Sequence, residues 1–164
     1  METSSKDFWW TYISSYDLDP GSIRVNLGLQ KQSPLPDYPY LVVTGTTYIT
    51  TRADGLPDVV DLERLNVLSY SIVDAIQKTS PAIYVGTFTY NHEQLHYVYV
   101  KDTTQIETVL GSLYLTDCPG CKAYTNIKQD LLWTGYSEFL YPNQTTFEFY
   151  RMELKKLGFI PPED

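Results

Sequence analysis

The sequence predicts a mixed α+β fold in a single domain, residues 1–164, and three observations support this prediction. The length of 164 residues suits one domain. The content of 15 Tyr, 6 Phe and 3 Trp is typical of a protein with a large sheet, because tyrosine packs its ring on a pleated surface while its hydroxyl stays hydrated. Segments with strand composition also alternate with segments of helical periodicity.

An N-terminal β-hairpin is predicted first. Residues 8–16 and 22–29 are rich in β-branched and aromatic side chains, and the Asp-Pro-Gly sequence at 19–21 between them is a favourable turn. A third strand is predicted over residues 38–50. We expect the hairpin to extend the sheet or to lie across its open face.

The first helix is predicted after an Asp54-Gly55 turn, with Asp58 or Asp61 as its N-cap. Apolar residues then recur at three- and four-residue spacing, which indicates one buried stripe. The residues of this stripe are Leu62, Leu65, Leu68, Ile72, Val73 and Ile76.

Two more strands and a second helix follow. Residues 82–90 and 94–100 flank the short loop 91–93 and predict a second hairpin. Thr104 and Glu107 have the spacing of a capping box and predict the start of the second helix.

The last strand and the last helix complete the predicted elements. Residues 122–130 form the strand. Thr145 and Glu148 predict a third helix over about 145–157, which Gly158 ends.

The order of these elements specifies the fold class more closely. From residue 39 onward it is β-α-β-β-α-β, the order of a ferredoxin-like core. Right-handed crossovers then place both helices on one face of an antiparallel sheet. The N-terminal β-hairpin and the C-terminal helix are additions to this core.

The charge and hydropathy patterns disfavour two classes of partner. The net charge is −8, and no run of Lys or Arg exceeds the pair Lys155-Lys156, so binding to nucleic acid through its phosphates is disfavoured. No apolar run approaches the ~20 residues that span a bilayer, so no membrane partner is expected. Because no signal peptide is visible, we expect a cytoplasmic protein with reduced thiols.

Four stretches of the sequence together resemble a known family. "GSIRVNLGL", "PDYPYLVV", "TRADGLPDVVDLERL" and "WTGYSEFLYP" are similar in order and spacing to the bacterial domain of unknown function 695 family, over about residues 8–142. The resemblance implies a small α+β domain with no established activity. Relatives sometimes occur beside a domain similar to regulator of ribonuclease activity B, an acidic protein inhibitor, which points to protein binding.

Both cysteines lie in "DCPGCK", where Cys118 and Cys121 have C-x-x-C spacing. Pro-Gly between them suits a turn from a helix to a strand, so we favour a turn with two free thiols. A redox couple is the second interpretation, although the thiols do not open a helix as in thioredoxin-like sites. A zinc site with His92 and His96 is the third, but four residues along a strand separate the histidines by about 13 Å.

The remaining candidate sites are polar and aromatic. Arg52 and Asp54 could form a polar site at a strand end, and Trp133, Tyr136 and Tyr141 belong to the C-terminal motif. No nucleophile elbow, phosphate-binding loop or dinucleotide fingerprint is present.

We therefore predict a non-enzymatic protein-interaction or regulatory module without a cofactor. It would bind another protein, or a second copy of itself, through an aromatic sheet surface. The alternative is a zinc-binding or thiol-redox protein that uses the two cysteines and two histidines.

Overall fold

The computed structural model describes residues 7–162 and contains six strands and three α-helices. The strands are β1 (Trp9–Tyr16), β2 (Asp19–Asn26), β3 (Tyr40–Thr47), β4 (Ala82–Tyr90), β5 (Glu93–Val100) and β6 (Ala123–Gln129). The helices are α1 (Val59–Thr79), α2 (Ile106–Asp117) and α3 (Gln144–Lys156). A 3-10 turn at Leu27–Leu29 and a short π-helix at Gly135–Leu140 complete the regular structure.

All six strands form one antiparallel sheet in the order β1-β2-β4-β5-β3-β6. The predicted mixed α+β class is therefore confirmed. The β1–β2 hairpin extends the sheet, because β2 pairs with β4. The six-stranded order is consequently not that of a simple ferredoxin-like fold, which has four strands.

The turn of the first hairpin is not where the sequence predicted it. Asp17 and Leu18 form a two-residue turn with φ of 47° and 81°, and Tyr16 pairs with Asp19. Two positive φ angles give the turn the twist of the flanking strands, so the pairing register favours this site over residues 19–21. Gly21 lies inside β2, where a Cβ atom would come within 2.7 Å of the Tyr16 ring.

The second hairpin turns within the predicted loop. Asn91 and His92 have φ of 47° and 66°, and Tyr90 pairs with Glu93. The two hairpins therefore use the same type of connection, although the sequences of their turns share no residue.

The helix caps match the prediction only in part. Asp58 caps α1 and accepts a hydrogen bond of 3.1 Å from the Asp61 N–H. The predicted box of Thr104 and Glu107 is wrong, because Gln105 occupies the N-cap position of α2 with a φ of 69°. A left-handed N-cap turns the chain at Gln105, and Thr104 lies one residue too early to cap the helix.

The N-cap of the third helix lies two residues before the predicted one. Asn143 has the extended conformation of an N-cap and accepts a 2.8 Å hydrogen bond from the Thr146 N–H, so the box of Thr145 and Glu148 does not form. Gly158 ends the helical turn at a φ of 87°, as predicted. None of the helices within residues 7–162 is long and apolar enough to cross a membrane.

Segments of the chain pack on both faces of the sheet. The helices α1 and α2 pack their buried stripes on one face; the cluster there includes Val42, Leu68, Ile72, Ile76, Val98, Val100, Ile106 and Leu110. The chain from the π-helix through α3 covers the other face; this cluster includes Ile23, Val25, Leu41, Tyr99, Trp133, Tyr136, Leu140, Phe147 and Leu154.

The expectation of an open aromatic sheet surface is therefore wrong. The C-terminal segment had been expected to pack as a simple addition, but its apolar residues bury the aromatic face of the sheet. The reason is the large hydrophobic gain from removing these rings from water.

Candidate functional site

A groove opens between α1 and the two outer strands β1 and β2. It exists because α1 packs against β4 and β5, while the hairpin widens the sheet beyond the reach of the helix. The groove has a volume of about 770 Å³. Its lining residues are Thr11, Ile13, Ser22, Arg24, Arg52, Leu56, Pro57, Leu62, Asn66, Ser69, Tyr70, Val73, Tyr84, Thr87, Thr89 and Gln94.

The floor of the groove is polar, although it lies between a helix and a sheet. His96 on β5 is 2% exposed, and its two ring nitrogens contact Thr87 Oγ1 at 3.1 Å and Ser69 Oγ at 3.2 Å. Further along the same face of β5, the side chains are Val98 and Val100, which pack under the helices. The row of inward side chains thus changes from apolar to polar where the groove begins.

The directions of the hydrogen bonds in the floor follow from the number of protons available. Ser69 donates its one hydroxyl proton to Gln94 Oε1 at 3.3 Å. The ring of His96 must therefore donate from Nε2 to Ser69, and its Nδ1 must accept from the Thr87 hydroxyl. Tyr84 then donates to Thr87, since the Thr87 proton is already used.

The chain of hydrogen bonds ends at Thr89. The Gln94 amide donates to Thr89 Oγ1 at 3.0 Å. Thr89 is 6% exposed and lines the groove, and its hydroxyl proton has no acceptor within residues 7–162. One buried donor of the floor is therefore available to a ligand.

His96 is neutral at physiological pH. Burial, together with the smaller effect of the nearby positive charge of Arg24, lowers its pKa to about 4. The floor therefore presents neutral hydrogen-bonding groups and carries no charge of its own.

Both charged residues among the lining residues are arginines. Arg24 lies on β2 with its guanidinium carbon 4.1 Å from the centre of the Trp9 ring, and it forms no ion pair within residues 7–162. Arg52 pairs with Asp54 through contacts of 2.7 and 3.1 Å. The groove is thus locally cationic on a chain whose net charge is −8.

Of the predicted polar pair, Arg52 lines this groove, and Asp54 pairs with it without being one of the lining residues. The hydrogen bonds from Arg52 and from the Leu56 N–H hold the pKa of Asp54 below its ordinary value. Gly55 follows with a φ of 78°, and the Tyr48 hydroxyl donates to its carbonyl at 2.6 Å. The loop that carries the pair is therefore fixed by local hydrogen bonds.

The predicted aromatic residues Trp133, Tyr136 and Tyr141 lie on the opposite face of the sheet. Trp133 stacks on Tyr99 with ring centres 4.1 Å apart, and both Trp133 and Tyr136 are fully buried. Tyr141 is half-buried against Phe147. The structure separates these three residues from the Arg52–Asp54 pair, and their described contacts are core packing.

A buried carboxylate organises this opposite face. Asp130 accepts hydrogen bonds from the Tyr99 hydroxyl, the N–H and hydroxyl of Thr134 and the Gly135 N–H, all between 2.7 and 3.0 Å. Burial tends to raise the pKa of Asp130, but these donors outweigh it and the pKa lies below its ordinary value. We call these four residues the Asp130 network.

The structure does not bring the four predicted zinc ligands together. His96 lies under the groove with both ring nitrogens engaged, whereas His92 lies in the β4–β5 turn. Cys118 and Cys121 follow α2 and line a second cavity of about 430 Å³. Within residues 7–162, no group of three or more His, Cys, Asp or Glu residues could hold a metal ion.

The C-x-x-C segment forms the predicted turn, but its thiols are not free. The Cys121 N–H donates to the Cys118 carbonyl at 3.0 Å, which is a turn between α2 and β6. This turn brings the two Cα atoms within 5.4 Å, and a disulfide joins the cysteines. The preference for free thiols was therefore wrong.

The sequence reasoning did not identify the residues of the floor or Arg24. The strands did contain an indication of polar residues at this place. Thr87 and Thr89 share one face of β4, and Gln94 and His96 share one face of β5. Polar side chains at positions that face a helix are unusual and could have indicated a site. Ser69 could not be singled out in this way, because α1 carries many other polar residues.

Comparisons with known proteins give a family and no activity. The model of a family of unknown function, DUF695, matches residues 7–141. No curated protein and no solved structure matches the chain.

Proposed function

Because this chain belongs to DUF695, a family of unknown function, we propose its role from the groove: it is a non-enzymatic protein-interaction or regulatory module that binds another protein there. The observation that carries this proposal is the combination of an open cavity with a hydrogen-bonded polar floor. Interfaces of this kind place satisfied polar groups and anchoring pockets beside apolar contacts.

The rim of the groove supplies the apolar contacts. Tyr70 is 76% exposed on α1, and Leu62 on the same helix and Ile13 on β1 are also exposed. All three line the cavity. A partner segment seated in the groove would cover these side chains, and aromatic residues such as tyrosine are common anchors of binding energy.

The hydrogen-bond directions support a non-enzymatic role. A serine nucleophile needs a histidine nitrogen that accepts its proton. Here Ser69 gives its proton to Gln94, and His96 Nε2 carries a proton of its own. The pair therefore has the wrong arrangement of protons for nucleophilic catalysis, and the proposal requires no metal or cofactor.

We also propose a ferredoxin-like core for this domain, in which the β1–β2 hairpin widens the sheet. The order β4-β5-β3-β6, the antiparallel pairing and the packing of α1 and α2 together on one face support it. We propose a cytoplasmic location for the module, as expected from the sequence.

Capture of the partner from a native cytoplasmic extract tests the proposal. The groove variant carries Leu62→Glu and Tyr70→Glu, and the control variant carries Phe149→Glu and Met152→Glu on α3, where both side chains are exposed. We expect mass spectrometry to find the same enriched protein with the wild type and the control, and to find it lost with the groove variant. Retention by the groove variant, or loss from the α3 variant alone, contradicts the proposal.

A further inference from the structure

We infer that the groove is a binding site for an oxyanion, a carboxylate or phosphate group, which the guanidinium of Arg24 holds above the polar floor. The inference rests on the proposed function, because it names the chemical group that is recognised at the same groove.

The first argument is the distribution of charge. The chain has 20 acidic and 12 basic residues, yet the charged residues that line the groove are Arg24 and Arg52, and no carboxylate lines it. Arg52 shares its charge with Asp54, whereas Arg24 has no ion-pair partner within residues 7–162. The charged side chains that line the groove are therefore positive, although the chain as a whole has a net charge of −8, and this local charge favours an anion.

The second argument is the placement of Arg24. Its guanidinium lies 4.1 Å from the centre of the Trp9 ring, and that ring lies 5.0 Å from the ring of Tyr84, which begins the polar floor. Stacking on an aromatic face fixes the plane of a guanidinium but leaves its N–H groups at the edge free to donate. A guanidinium held in this way presents the planar fork that binds carboxylate and phosphate oxygens.

The third argument is independent of charge. The hydroxyl of Thr89 is buried and lines the groove, and its proton is not used by the described residues. A buried donor without an acceptor is unfavourable, and an oxyanion supplies the acceptor. Neutral His96 adds neither a competing negative charge nor a second cation.

The chemistry of the site does not depend on the source of the oxyanion, which can be an acidic segment of a protein or free phosphate. Two probes separate these sources: the tripeptide N-acetyl-triglutamate and inorganic phosphate. The matched control for the acidic tripeptide is N-acetyl-triglutamine, and both tripeptides carry a C-terminal amide so that the control is neutral and contains no carboxylate. Each is titrated into the isotope-labelled full chain at constant ionic strength, and binding is followed by changes in the NMR shifts of the groove residues.

We expect saturable shifts at the groove with N-acetyl-triglutamate or with phosphate, and none with the neutral tripeptide. Arg24→Gln should weaken binding by about tenfold or more, since it removes a charge-assisted contact. Arg151→Gln on α3 removes the same charge elsewhere and should bind as the wild type does. Circular dichroism and thermal unfolding verify that each variant is folded.

Three results overturn the inference: no saturable shift with either anion, equal binding by Arg24→Gln, or equal binding of the neutral tripeptide. The outcome is separable from that of partner capture. If neither anion binds but the captured protein still depends on Leu62 and Tyr70, the inference about oxyanions fails and the proposed function stands. If the anions bind and no protein depends on the groove, the proposed function fails and the oxyanion site stands.

Discussion

The groove and the Asp130 network are both buried polar clusters, on opposite faces of one sheet, and they differ in where their hydrogen bonds end. In the Asp130 network, donors from Tyr99, Thr134 and Gly135 converge on a single carboxylate. In the groove, hydrogen bonds run through neutral side chains and end at the Thr89 hydroxyl, which still has a proton to donate. The first cluster is closed and the second is open to a ligand.

Buried polarity alone therefore does not indicate a functional site. A carboxylate that accepts four hydrogen bonds is satisfied, and it fastens the start of the C-terminal segment to Tyr99 at the centre of the sheet. A row of hydrogen bonds between neutral side chains that ends beside a cavity leaves one donor unused, and only another molecule can accept its proton. Variants of Asp130, His96 and Thr89 test this comparison.

Asp130→Asn should have the largest effect, on stability. The amide nitrogen would face donors where an oxygen now accepts, so two of the charge-assisted hydrogen bonds would be lost, at a cost of about 4 kcal/mol in the free energy of unfolding. Urea unfolding monitored by tryptophan fluorescence measures this loss, because Trp133 lies beside the network. Asp37→Asn, at an exposed position, is the control and should change stability by less than about 0.5 kcal/mol. A small effect of Asp130→Asn would remove the distinction between a closed and an open cluster.

His96→Gln should change the pH dependence of stability. The pKa of His96 falls from 6.5 to about 4 on folding, so the unfolded chain binds the proton more tightly than the folded chain does. The stabilisation is complete above pH 6.5 and is lost as the pH falls to about 4, a loss of about 3 kcal/mol that His96→Gln should not show.

The groove and the Asp130 network lose their contributions to stability in different pH ranges. Since the pKa of Asp130 is lowered, its contribution is present above pH 3.8 and is lost only as the pH falls further. Chemical unfolding at a series of pH values compares the wild type with His96→Gln and with His92→Asn, which changes the exposed histidine of the turn. If His96→Gln keeps the slope of the wild type between pH 6.5 and 4, His96 is not the buried neutral group described here.

Thr89→Val should have the smallest effect on stability and a selective effect on binding. Valine has nearly the shape of threonine but leaves the Gln94 amide without its acceptor, so we expect the free energy of unfolding to fall by about 1 kcal/mol. The anion that binds the wild type should bind this variant about threefold to tenfold more weakly, because one neutral hydrogen bond is lost. NMR titration measures the affinity for the anion. The control is Thr11→Val, which changes an exposed residue of the same groove. Unchanged affinity in Thr89→Val would mean that the floor is as closed as the Asp130 network.

Most of the elements of the fold could be predicted from the sequence, because their signals are local. The strand at residues 82–90 is one example, and the start of α1 is another, where Asp58 was one of two predicted N-caps, since β-branched alternation and a capping carboxylate act within a few residues. The turns and caps that were placed wrongly, at residues 19–21, Thr104 and Thr145, had competing local signals a few residues away. The register of β1 and β2 selected the observed turn, and the backbone conformations at Gln105 and Asn143 fixed the two N-caps.

The candidate site was predicted less well than the fold. Arg52 and Asp54 were predicted and Arg52 lines the groove, but Arg24, Ser69 and Thr89 were not predicted. These residues come from separate strands and a helix, and each has an ordinary local sequence. Only the pairing of β2 with β4 and the packing of α1 on the sheet place them around one cavity.

The α+β class, the order of the elements and the position of most strands and helices follow from the sequence, because hydrophobic periodicity and capping act at short range. The tertiary structure decided which face of the sheet is covered and by which segment, where the hydrogen bonds of His96 and Asp130 end, and that the two cysteines are joined. Those outcomes depend on contacts between residues distant in the chain, such as Tyr12 and Leu140, and no local pattern encodes their geometry.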